Sequence, residues 1–190
     1  MSRLMMPLAV FGLLLGSVVS AKEKESGEAC LQAGDAIGAF YVTKVAGADD
    51  DGVEAGEQLC YRCRYGSSPM VMVFARDTGG KVNKLVKEID VAVQANEDAR
   101  LKSFVTLLGE DASALKKTAA KFAKKTGSKK VPVTVAKDNV TGPSNYKISD
   151  KAAVTVVVAN NSQVVASHSF DNAKDVDVSA VMSEVNKILN

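Results

Sequence analysis

The chain has 190 residues, 24 Lys and Arg against 22 Asp and Glu, and a single His, for a formal charge of +2. A balance this close to neutral argues against nucleic acid as the main partner. One histidine gives little support to a Ser-His-Asp triad or a His-rich metal site. Hydrophobic residues make up 46% of the chain, enough to give one domain of ordinary size a real core.

Residues 1–21 read as a secretory signal peptide. Arg3 supplies the positive start, Leu8 to Val19 the apolar run, and Val19-Ser20-Ala21 the small residues before a cut near Lys22. The run is too short for a membrane span, which needs about 20 apolar residues. The expectation is therefore export to a periplasmic or extracellular space, with no stable membrane insertion after cleavage. Residues 22–33 are charged and small and read as a linker. The folded domain is expected over 34–190.

Gly34-Asp35 through Phe40-Tyr41-Val42 opens that domain, and Asp49-Asp50-Asp51-Gly52 is an acidic turn. Met70 to Ala75 is a continuous apolar run, the pattern of a strand buried on both faces. Val82, Leu85, Val86, Ile89 and Val93 then mark one stripe of a helix. Ser103 to Leu108 is a second buried strand. Asp111 is placed to cap a helix reaching about Lys125, with Leu115, Ala119 and Phe122 inward. Val131 to Val135 and Val154 to Ala159 are further strands. Asn160-Asn161-Ser162 turns the chain back along Gln163 to Phe170. Val178, Val181, Val185 and Ile188 stripe a last helix. This order describes an α/β sandwich.

Cys60-Tyr61-Arg62-Cys63 is the motif with chemistry in it. In an oxidising compartment so close a pair is expected to be a disulfide. It reads either as a redox pair or as a structural staple ahead of the strand Met70–Ala75. Arg62 and Arg64 favour a thiolate, the form that attacks, whereas no general base adjoins the pair in sequence. Cys30 is the odd cysteine, free or open to an intermolecular bond. Cys30 and His168 are the only other soft ligands, and no spacing joins them to the pair, so no metal and no cofactor are expected. His168, between Ser167 and Ser169, reads as an ordinary strand residue. Asp77-Thr78-Gly79-Gly80 reads as a helix start, capped by Asp77 or Thr78 or seating an anion. Lys116, Lys117, Lys121, Lys124, Lys125, Lys129 and Lys130 read as a solvated face that could also meet an anionic polymer.

Three stretches are similar to the thioredoxin superfamily, and within it to the redoxin branch of peroxiredoxin-like proteins and exported thiol–disulfide reductases. Gly34-Asp35 to Phe40-Tyr41-Val42 resembles the branch's N-terminal hairpin. Pro69 to Ala75 resembles its core strand. Pro132 to Asp138, Tyr146-Lys147-Ile148 and Thr155 to Val158 follow its later half. The resemblance implies a thioredoxin-like three-layer sandwich: a central mixed β-sheet flanked by helices, with an N-terminal β extension. Two family features are missing. The reactive cysteine would fall near Thr78, and a cis-proline would stand where Val154 does, so a trans bond is expected there. The C-x-x-C is instead displaced to precede the core strand, away from a helix start.

The reading is an exported protein that exchanges thiols and disulfides through Cys60 and Cys63. Cys60 is the attacking thiol by analogy with the usual motif, and protein thiols and disulfides are the partners. The other reading is a redox-inactive binding module for an envelope protein, with Cys60–Cys63 as a structural bond. Peroxidase activity ranks behind both.

Overall fold

The computed structural model describes residues 30–190. The expected signal peptide, and the linker up to residue 29, lie outside the described residues. Seven strands form one mixed sheet in the order β2-β1-β5-β4-β3-β6-β7. The strands are β1 (Val42–Ala46), β2 (Gln58–Leu59), β3 (Met70–Ala75), β4 (Lys102–Leu107), β5 (Val133–Ala136), β6 (Val154–Asn160) and β7 (Gln163–Phe170). The helices are α1 (Tyr61–Tyr65), α2 (Val82–Ala95), α3 (Ala112–Thr126) and α4 (Val178–Lys187). β3, β4 and β5 run parallel, while β1, β6 and β7 pair antiparallel to their neighbours.

β3 is central and buried along its whole length, which is why its sequence shows no alternation. Alternate residues still serve different cores. Val71, Val73 and Ala75 face a core closed by the stripes of α2, α3 and α4. Met70, Met72 and Phe74 face a second core with Phe40, Tyr61, Phe104 and Tyr146. Among the described residues no long helix covers that second face. Short α1, a 3-10 turn at Ser144–Tyr146 and the segment from Leu31 to Phe40 do so instead. Aromatic rings fill the space there: Phe40 lies edge-on to Tyr146 at 5.0 Å, and Tyr61 stacks on Phe104 at 5.6 Å.

Several boundaries differ from those expected. The N-terminal β extension comes later in the chain. Gly34 to Tyr41 is irregular apart from a bridge between Ala36 and Gln163, and the hairpin is made by β1 with β2. β5 begins at Val133 because Pro132 has no N–H for the ladder and the Val131 N–H is taken by Asp90. That Asp90 carboxylate is buried in α2 and accepts from the backbone of Lys130 and Val131, tying helix to strand. Packing also reaches upstream of Gly34, since Cys30 and Leu31 are buried. The peptide before Val154 is trans, and the described residues contain no cis bond.

Candidate functional site

Cys60 and Cys63 are joined as a disulfide, with their Cα atoms 5.2 Å apart. The pair does sit at a helix start, contrary to the sequence expectation. Cys60 is the N-cap of α1, extended at φ −109° and ψ 98°, and Cys63 lies in the first turn. The Cys63 backbone N–H donates to Cys60 Sγ at 3.1 Å. The sequence hid this helix because five residues carry no readable period, and so short a helix is unstable alone. Gly66 ends it at φ 61°, a conformation that suits glycine.

The two cysteines differ in exposure. Cys60 is buried and Cys63 is exposed. In the chain order of the motif, the second cysteine is therefore the one that meets solvent.

Tertiary contacts hold α1. Tyr61 is 1% exposed, stacked on Phe104, and its hydroxyl donates to Asp51 Oδ2 at 2.6 Å. Burial first, and then the Asp51 carboxylate, hold the Tyr61 hydroxyl far above the ordinary phenol range. It is therefore a fixed donor and not a base. Burial likewise raises Tyr65. Arg64 donates from Nη2 to Asp51 O at 2.7 Å, and Arg62 donates from Nε to Ile37 O at 3.0 Å. Both guanidiniums flanking Cys63 thus have backbone partners.

Asp51 is fixed from below by Lys44, a residue sequence reasoning did not single out. Lys44 is 3% exposed on β1, and its Nζ donates to Ala48 O, Val53 O and Asp51 Oδ1 at 2.9, 2.8 and 2.7 Å. All three ammonium protons are used, which is what a buried charge requires. Val53 N also donates to Asp51 Oδ1 at 2.8 Å. One signal was in the sequence: Phe40, Val42 and Lys44 alternate, so Lys44 shares the inward face of β1. A groove of about 480 Å³ opens beside this network, lined by Asp50, Asp51, Arg64, Tyr65, Glu97 and Lys130. At its rim Lys130 bridges Asp50 and Glu97, and its hydrogen bond holds the Asp50 carboxyl below its usual value.

The other sequence candidates lie elsewhere. Neither Asp77 nor Thr78 caps α2. The N-cap is Lys81 with no side-chain bond, while Asp77 Oδ1 accepts from Gly79 N and closes a tight turn. The short Asp77 side chain finds a local amide before the helix begins. Cys30 is free and buried, meeting Ser167 Oγ on β7. His168 lies on β7, with Nε2 unpartnered and its ring stacked near Phe170. Burial lowers its pKa, opposed by Glu184 and Asp177. The structure thus brings neither Cys30 nor His168 to the pair. Among the described residues no group of three His, Cys, Asp or Glu could hold a metal ion. Lys116, Lys117, Lys121, Lys124 and Lys125 are exposed along α3.

No family model and no curated protein matches the sequence. Solved structures do match its shape. A candidate thiol:disulfide interchange protein DsbE from Chlorobium tepidum aligns at TM-score 0.62 and 15% identity, over 84% of this chain and 99% of that one. A candidate protein disulfide isomerase from Bacteroides thetaiotaomicron aligns at 0.59 and 16%, over 84% and 91%. Peroxidoxin BcpB from Mycobacterium tuberculosis aligns at 0.59 and 13%, over 83% and 98%. At these identities the likeness concerns the backbone alone, and the described residues have a thioredoxin-like fold.

Proposed function

We propose that this protein is an exported thiol–disulfide oxidoreductase working through Cys60 and Cys63 on protein thiols and disulfides. The observation that carries this reading is the asymmetry of the pair, with an exposed Cys63 beside a buried Cys60 whose sulfur accepts a backbone N–H. Export rests on the signal pattern at residues 1–21.

The asymmetry suits exchange as follows. In the reduced protein, the Cys63 thiolate attacks one sulfur of a substrate disulfide. The electron pair of that bond leaves with the other substrate sulfur, which takes a proton. Cys60, as thiolate, then attacks Cys63 Sγ in the mixed disulfide and releases the second substrate thiol. The substrate is reduced by two electrons and the pair is oxidised. In the return direction a donor thiolate attacks Sγ of the exposed Cys63, and Cys60 is the leaving sulfur. The Cys63 N–H favours the Cys60 thiolate, and a better-stabilised thiolate leaves faster. This order assigns attack to Cys63 and not to Cys60.

A second reading has its own support. The turn Arg76–Gly80, where the resemblance places the family's thiol, contains none. On that reading the domain binds a protein partner and the disulfide is a staple. Insulin reduction in a dithiothreitol-coupled assay separates the two. Exchange predicts acceleration by the wild type and none by a Cys60→Ser/Cys63→Ser double variant. It also predicts that Cys60→Ser traps a mixed disulfide through Cys63 while Cys63→Ser traps none. The chain-entropy model gives so short a loop only about 2 kcal/mol of stability, so the double variant remains folded for the comparison. A wild type without activity, together with a lower melting temperature in the double variant, leaves the binding module standing.

A further inference from the structure

We infer that Asp51 is a positioning residue for the Cys60–Cys63 pair, keeping α1 in place when the disulfide opens. This rests on the exchange function proposed above. A five-residue helix cannot persist by its own propensity. While the pair is oxidised, the covalent bond helps to hold it. Once the pair is reduced, the ties from α1 to the rest of the molecule include two that converge on Asp51: the Tyr61 hydroxyl on Oδ2 and the Arg64 guanidinium on the backbone oxygen. Asp51 can serve as an anchor because Lys44 and the Val53 N–H fix its other oxygen. Lys44 acts here as a built-in cation. Its ammonium gathers the carbonyls of Ala48 and Val53 and the Asp51 carboxylate, so that the loop from Ala48 to Val53 closes around a charge fixed to β1.

The consequence is chemical. A dithiol recloses readily in proportion to the effective concentration of one thiol at the other. By holding Tyr61 next to Cys60, Asp51 keeps both sulfurs of the reduced protein near their bonded positions. Loosening that tie frees the reduced helix to fray but leaves the oxidised helix held by its bond. The reduced form therefore gains relative to the oxidised form, and the equilibrium moves toward the dithiol.

The test is the equilibrium of the pair in buffers of dithiothreitol and its cyclic disulfide, in which two electrons and two protons pass from the small dithiol to the protein. Tyr61→Phe removes only the hydroxyl tie and keeps the ring on Phe104. Asp51→Asn removes the charge that Lys44 and Tyr61 share. Each variant is expected to shift the equilibrium constant at least threefold toward the dithiol, about 14 mV at 29.6 mV per tenfold change. Arg100→Ala, on a loop outside the network, is the control and should not move it. Where Asp51→Asn fails to fold, Tyr61→Phe decides. A folded Tyr61→Phe with lowered melting temperature and an equilibrium constant within 1.5-fold of wild type overturns the assignment, because a purely structural tie weakens both redox forms equally. This readout needs no turnover, so loss of the exchange reading in the insulin assay and loss of the Asp51 assignment are separate results.

Discussion

Helix α1 leads into β3, and the turn Arg76–Gly80 leads out of it toward α2. The turn lies where the resemblance places the reactive thiol, yet it holds none; Arg76 ties it to Val140 O and Asp150, and the rest is closed locally. Asp77 closes it on the Gly79 N–H, and Gly80 sits at φ 49° against Ala173. α1 has the thiols and is built the opposite way, from long-range side-chain contacts. Its floor is Phe104 on β4, and its anchors are Asp51 and Ile37 O. The comparison teaches that a thioredoxin-like fold can retain this turn without a thiol in it. A reactive-looking pair can stand on a segment that only tertiary contacts make helical.

The largest expected effect comes from removing the floor. Phe104 is 1% exposed and contacts Phe40, Tyr61 and Tyr65. Phe104→Ala should cost about 3–5 kcal/mol, as other large-to-small core changes do. Amide exchange should show α1 loosening more than α2. Equal loosening of both helices in that experiment would break the contrast between them.

The turn should answer to backbone geometry and not to side-chain chemistry. A Cβ on Gly80 would lie 2.7 Å from Ala173 O, and the positive φ adds strain. Gly80→Ala should therefore cost roughly 1–2 kcal/mol in chemical denaturation. Thr78→Ala should leave any reductase turnover unchanged, since the Thr78 backbone oxygen that accepts from Asn83 survives the change. A large loss of turnover in folded Thr78→Ala would place the chemistry at the turn after all.

The smallest effect concerns pH and His168 on β7. Burial holds the His168 pKa below its ordinary 6.5. The unfolded chain then takes up the proton first as pH falls. The stability associated with neutral His168 is present above about 6.5 and is lost as pH drops through the window beneath it. Asp50 and Asp177, whose pKa values are lowered by hydrogen bonds with Lys130 and with the Ala180 amide, keep their contribution above 3.8 and lose it only as pH falls below that, outside this window. Melting temperatures between pH 7.5 and 5 should therefore fall slightly in the wild type, and less in His168→Gln. Identical slopes would remove His168 from the account.

The sequence by itself determined the parts whose signal is local or periodic. Met70–Ala75 announced a central strand by being apolar throughout. The stripes of Val82 to Val93 and Val178 to Ile188 announced helices packed on one face. Asp111 announced a cap, and it accepts from Ser113 N and Ala114 N as expected. The disulfide was legible for the same reason, because its two ends are three residues apart. Tertiary structure alone decided the rest. It made Cys60–Tyr65 helical by laying Tyr61 on Phe104, more than forty residues away. It turned an acidic loop and a lone strand lysine into one buried network, and it left Cys63 exposed while burying Cys60. None of these leaves a period in the sequence, because each depends on partners that folding alone brings together, and a buried charge or a one-turn helix exists only once those partners are in place.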